Sequence, residues 1–227
     1  MILTPASSPV GKAVIFDLDE VLIDRRPAWR YTIEEAVASV TRRRLDAAPL
    51  VEAYHRRKWF EALRVLLDEP AAVAQCASLC ERMHARSSMK RLLVHDGIGM
   101  ALDVLRGGRI EMGAISRLPH GLARKQVEST GLDRFLAVLS ATPAGSPWSP
   151  RERYEDCRHF LQQEPATCLF VGADDADLDD ISLTGAGQLT HVQLDRAVAA
   201  GANSLLACGA ELESAIGAGN DAAVHRL

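Results

Sequence analysis

The reading of this chain turns on V14-I-F-D-L-D-E-V-L-I-D24. Residues 12–16 (K-A-V-I-F) form a short, largely continuous apolar run, the pattern of a strand buried on both faces in a parallel sheet. Asp17 and Asp19 follow where such a strand should finish, with one residue between them. Side chains repeat every second residue along an extended segment, so both carboxylates are expected to point in similar directions. Carboxylates brought together repel one another unless a cation joins them, and oxygen ligands alone suit Mg²⁺. A carboxylate can also attack phosphorus, and a second carboxyl can then act as general acid and base.

Working outward, the second half of the chain alternates between two periodicities. H95–R106 reads as a helix, R109–I115 as a strand ending at Ser116, H120–T130 as a helix stopped by Gly131, and F135–S140 as a strand. R151–Q163 reads as a helix, T167–V171 as a strand ending in Gly172 and a cluster of aspartates, and I181–A186 as a short helix. T190–L194 and N203–A207 read as strands and A210–I216 as a last helix. Such an order implies βαβ units: an α/β, Rossmann-like, doubly wound parallel sheet. Ligands of such sheets bind beyond the carboxyl ends of the strands. Asp17, Ser116 and the group Asp174, Asp175 and Asp177 are therefore expected to converge on one sheet edge.

Between Pro27 and Met89 the spacing is helical throughout, in W29–V40, L50–L67 and A71–M83, with Pro49 and Pro70 as punctuation. The expected organisation is a core made of 1–24 and 91–227, with an all-helical cap inserted over 25–90.

Composition narrows the function. The chain has 227 residues, 48% apolar and 25% charged, with a net charge of −4. That balance offers no basic field for nucleic acid or an anionic membrane. The basic runs R42-R-R44 and H55-R-R-K58 fall in helix-like sequence and read as solvated faces. Five cysteines at 76, 80, 157, 168 and 208 match no zinc ribbon or CxxC pattern and read as reduced, partly buried thiols. The N-terminal segment has neither a charged start nor a long apolar run, so a cytoplasmic location is expected. His95, His120 and His159 lack carboxylate or cysteine partners at ligand spacing. Trp29, Trp59 and Trp148 are candidates to line a pocket, Trp29 and Trp59 more simply packing the helical insert.

F16-D-L-D-E-V-L resembles the first motif of the haloacid dehalogenase superfamily, apolar-D-x-D-x-[TV]-L. I115-S116 resembles its second motif, and C168-L-F-V-G-A-D-D-A-D its acidic fourth. The helical insert just after the first motif is similar to the β-phosphoglucomutase and phosphoglycolate phosphatase branch. The resemblance implies a Mg²⁺-dependent phosphatase of a small phosphorylated metabolite, working through an aspartyl-phosphate. Asp17 would be nucleophile and metal ligand, and Asp19 general acid/base with its backbone carbonyl on the metal. Ser116, with Arg117 beside it, would hold the phosphoryl group. One of Asp174, Asp175 and Asp177 would complete the metal site. An aspartate at position 19 favours phosphoryl chemistry over dehalogenation.

Two departures stand out. The third motif's lysine has no counterpart in T142-P-A-G-S-P-W-S-P-R-E-R-Y154, where Arg151 or Arg153 is the available cation. Ala173 follows Gly172 where the fourth motif has aspartate. Glu20 stands where the family often has glycine. These changes keep an alternative open, a catalytically silent member of the fold with a binding or scaffolding role. Monomer and homodimer are equally compatible with the sequence.

Overall fold

The computed structural model describes residues 13–54, 59–185 and 187–190. Its strands are β1 (Ala13–Asp17), β2 (Ile23–Asp24), β3 (Leu93–Val94), β4 (Glu111–Pro119), β5 (Val138–Thr142), β6 (Cys168–Gly172) and β7 (Gly187–Thr190). Its helices are α1 (Arg26–Thr41), α2 (Ala48–Tyr54), α3 (Trp59–Leu66), α4 (Pro70–His84), α5 (Ile98–Gly107), α6 (His120–Thr130), α7 (Pro150–Phe160) and α8 (Asp175–Ser182). The expected elements at 203–207 and 210–216 lie outside the described residues, as does most of the strand expected at 190–194.

Five strands form one parallel sheet in the order β5-β4-β1-β6-β7. β1 is its centre and is buried along its whole length, as the apolar run Ala13–Phe16 requires. The chain builds outward from β1 on one side through β4 and β5, then on the other through β6 and β7. The α/β, doubly wound reading thus holds, and the reversal of winding falls at the carboxyl end of β1, where such sheets bind ligands.

The chain divides into two compact units: residues 1–22, 96–120 and 133–227, and residues 23–95 with 121–132. In the first, α7 packs across β5, β4 and β1, and α8 against β6 and β7. Ala13, Ile15, Ile115, Tyr154, Cys157 and Phe170 are buried in its core. The approach of α7 to β4 is close: a Cβ on Gly113 would collide with Cys157 Sγ and stand 3.3 Å from Leu161 Cδ1.

In the second unit α1 and α4 pack together, with Ile33, Ala36, Val37, Val51, Leu63, Cys76 and Cys80 buried between its helices. The two-stranded antiparallel ribbon β2–β3 joins its ends. The thiols of Cys76 and Cys80 face the backbone carbonyls of Ala36 and Thr32, each at 3.7 Å. All four described cysteines are free and buried.

Three elements differ from expectation. The strand foreseen from Phe135 starts at Val138, because Leu132–Arg134 form a 3₁₀ turn and Phe135 is buried ahead of the strand. The strand ending at Ser116 continues to Pro119 past a register shift against β5. The helix foreseen over 181–186 instead starts at Asp175. Asp174 caps it by accepting the Ala176 N–H at 3.0 Å, and aspartates are favourable in a first helical turn.

Candidate active site

β1 ends on Asp17, and the chain leaves it through one π-helical turn, Leu18–Leu22. What relates Asp17 to Asp19 is therefore a turn and not the strand alternation expected from sequence. The turn aims backbone donors at the first carboxylate: Asp17 Oδ1 accepts the N–H of Asp19 at 2.8 Å and of Glu20 at 3.2 Å. Asp17 Oδ2 is buried and has no hydrogen-bond partner among the described residues. Burial pushes the Asp17 carboxyl up to about 8; Asp19 and Glu20 add to the rise, while the Asp19 N–H and Arg117 oppose it.

Asp19 is held from the neighbouring strand. Ile115 pairs with Asp17 across β1 and β4, which brings the next residue, Ser116, level with the turn. The Ser116 hydroxyl donates to both Asp19 oxygens, at 3.0 and 3.1 Å, and the Arg117 N–H donates to Oδ2 at 2.6 Å. Ser116 is itself fixed at the irregular end of β4. Its Oγ accepts the Leu118 N–H at 3.1 Å, and its carbonyl accepts the Thr142 hydroxyl at 3.0 Å.

The third contribution comes from beyond β6. Gly172 ends that strand, and a Cβ there would stand 2.6 Å from Phe170 Cε1, so the glycine leaves room for the Phe170 ring. Asp177 lies buried in the first turn of α8. The Arg117 guanidinium binds Asp177 Oδ2 and lies 3.7 Å from Asp174. It also stacks 4.8 Å above the Trp148 ring, whose Nε1 donates to Asp177 Oδ1 at 3.3 Å. Burial raises the Asp177 carboxyl, against the pull of Arg117 and Trp148.

The structure thus gathers Asp17, Asp19, Ser116, Arg117 and Asp177, with Asp174 at the margin. Asp175 is exposed on the first turn of α8. Arg151 is exposed on α7, where its backbone N–H donates to Asp180 at 3.2 Å. Arg153 pairs with Asp156 at 2.7 Å along the same helix. Sequence reasoning passed over Thr142 and gave Trp148 no partner. The one hint for Trp148 is its place between Pro147 and Pro150, where the chain enters a helix.

The chemistry of these donors can be tested against a divalent cation. Asp17 Oδ2 fits one: a buried, unpartnered carboxylate oxygen is a hard donor whose charge a cation would relieve. Among the described residues, no three His, Cys, Asp or Glu side chains form a ready-made cage. Asp177, the buried aspartate in the first turn beyond β6, is engaged by Arg117 and Trp148.

Solved structures similar to this chain share its fold. A haloacid dehalogenase-superfamily hydrolase of subfamily IA from Geobacter sulfurreducens aligns over 82% of this chain and 89% of its own, at 20% identity and a TM-score of 0.69. A predicted phosphoglycolate phosphatase from Haemophilus somnus aligns over 78% and 84%, at 16% identity and a TM-score of 0.62. A haloacid dehalogenase-like family hydrolase from Streptococcus pneumoniae aligns over 81% and 85%, at 12% identity and a TM-score of 0.62. No curated protein sequence matches the chain. Among the described residues no helix is long and apolar enough to cross a membrane. Residues 12–179 match the haloacid dehalogenase-like hydrolase family, and the chain belongs to that family.

Proposed function

We propose that the protein is a Mg²⁺-dependent phosphatase of a small phosphorylated metabolite, with Asp17 as nucleophile. The observation that carries this reading is the buried Asp17 Oδ2, without a hydrogen-bond partner among the described residues, at the carboxyl end of the central strand beside Asp19. A nucleophilic carboxylate has to be ionised, and burial beside Asp19 and Glu20 works against that. A divalent cation held by Asp17, the Asp19 carbonyl and an aspartate of 174–177 would restore the charge and offset that of the phosphoryl group.

The chain's own residues supply the rest. Asp17 attacks phosphorus; the Asp17–phosphorus bond forms as the phosphorus–ester bond breaks. Asp19 gives its proton to the leaving oxygen. In the second half Asp19 takes a proton from water, the water oxygen attacks phosphorus, and the bond to Asp17 breaks to release phosphate. Ser116 and the Arg117 N–H orient Asp19 for both transfers, since both donate to its carboxylate. The helical unit, 25–90 by the sequence reading, would act as the cap that excludes water and selects the substrate. Free, buried thiols fit a cytoplasmic setting.

The test is hydrolysis of a generic aryl phosphate by wild type and Asp17→Asn, with Mg²⁺ and with chelator. Turnover that needs Mg²⁺ and is lost in Asp17→Asn is expected. Turnover that persists in Asp17→Asn would overturn the assignment of the nucleophile. No turnover across a panel of small phosphorylated metabolites would favour a silent, binding member of the fold.

A further inference from the structure

Arg117 is anchored at the acidic edge by its backbone and by its guanidinium. Its backbone N–H donates to Asp19, its guanidinium binds Asp177 beside Asp174, and the same group stacks on Trp148. Both Asp177 oxygens are consequently engaged, Oδ2 by Arg117 and Oδ1 by Trp148 Nε1. Asp17 Oδ2, by contrast, has no partner among the described residues. No lysine follows Lys125 in the sequence, so cationic side chains beyond β4 and α6 come from arginine or histidine. A guanidinium is planar and weakly hydrated, and it can lie on an aromatic face while it forks onto a carboxylate; a compact ammonium cannot do both.

We propose that Arg117 is the tethered counter-cation of this site, competing with a divalent cation for Asp177 and so setting how tightly that cation binds. The inference rests on the reading of Asp17 as a metal-bearing carboxylate. Asp177 can turn an oxygen to an incoming cation only after the guanidinium releases it, so each occupies the carboxylate at the other's expense. Removing the guanidinium frees Asp177 as a donor and removes a like charge from the cation's surroundings. Entry of the cation, in turn, takes Arg117 off Asp177 and changes the environment of Trp148.

The experiment is a Mg²⁺ titration of the full chain without substrate, followed by calorimetry and by Trp148 fluorescence. A Trp148→Phe variant gives the background from the other tryptophans. Wild type is compared with Arg117→Met, which keeps an apolar stem on Trp148, with Arg117→Lys and with Asp17→Asn. Circular dichroism verifies the fold of each, and Arg117→Lys carries the comparison if Arg117→Met does not fold. Arg117→Met is expected to bind Mg²⁺ about tenfold more tightly than wild type, with Arg117→Lys between them. Asp17→Asn should not bind, and the Mg²⁺-induced change in Trp148 emission should be large in wild type and small in Arg117→Met. Equal or weaker binding by Arg117→Met, with binding still abolished in Asp17→Asn, would overturn the role of Arg117 and leave the metal reading intact. Absence of binding heat in every variant would overturn both.

Discussion

Among the described residues, each compact unit buries titratable groups, and the two sets are of opposite character. In the sheet unit, Asp17, Asp19 and Asp177 are almost wholly removed from solvent, and charge is concentrated at the strand ends. In the helical unit, His84 stacks on Trp29, with ring centroids 4.2 Å apart and planes within 5°. Its Nδ1 lies 3.5 Å from the Ser88 hydroxyl and its Nε2 lies 3.4 Å from the Gln126 amide nitrogen. Burial, followed by Arg25, lowers the His84 pKa to about 4, so the ring is neutral at ordinary pH. The helical group resolves its burial by giving up charge. The sheet group crowds three carboxyl groups together: Asp17, pushed up to about 8 by burial, holds its proton at neutral pH, while Arg117 engages Asp19 through its N–H and Asp177 through its guanidinium. Crowding several carboxyl groups in a buried place is costly, and a fold that keeps them at a ligand-binding edge points to a reacting site.

The largest effect that can break this contrast is at Asp17. Asp17→Asn is expected to lower phosphate-ester turnover by at least ~10³-fold. The same change should raise thermal stability without Mg²⁺, by on the order of 2 kcal/mol, because it removes a buried carboxyl whose charge is disfavoured. A loss of stability together with unchanged turnover would make Asp17 structural, like His84.

The helical group predicts the reverse dependence on acid. The folded protein binds the His84 proton only near pH 4, whereas the unfolded chain binds it near 6.5. Its contribution is therefore present above pH 6.5 and is lost as pH falls towards 4, by up to about 3 kcal/mol. Denaturant unfolding across that range, wild type against His84→Gln, measures it as the difference between the two curves. Parallel curves would refute the assignment of a neutral buried ring.

Two smaller changes sharpen the contrast within the sheet unit. Gly113→Ala forces Cys157 and Leu161 away from β4 and should cost about 1–3 kcal/mol in chemical unfolding. Asp175→Asn touches an exposed side chain, so stability should stay within about 0.5 kcal/mol. Turnover should also be little changed, where Asp177→Asn lowers it. A strong effect of Asp175→Asn on turnover would show that the wrong aspartate has been read as the site's.

Much of this was legible in the residues. The apolar run before Asp17 implied a strand buried on both faces of a parallel sheet, and the later alternation of strand and helix implied the α/β fold. Together they brought Asp17, Ser116 and the aspartates after Val171 to one edge. What was not legible depended on local geometry. The π-helical turn after Asp17 has no periodic signature, and the start of α8 at Asp175 was hidden because an N-cap and an acidic loop share a composition. The pairing of Arg117 with Asp177 was hidden for another reason. The position of Arg117 beside Ser116 placed it near phosphate, but its carboxylate partner lies 60 residues away in sequence.

Whether Asp17 reacts is read directly from the mass of acid-quenched enzyme after mixing with an aryl phosphate and Mg²⁺. One added phosphoryl group is expected, mapped to the peptide containing Asp17 and absent from Asp17→Asn. Steady turnover with a phosphoryl group on another residue, or with Asp17→Asn as active as wild type, would contradict Asp17 as the nucleophile.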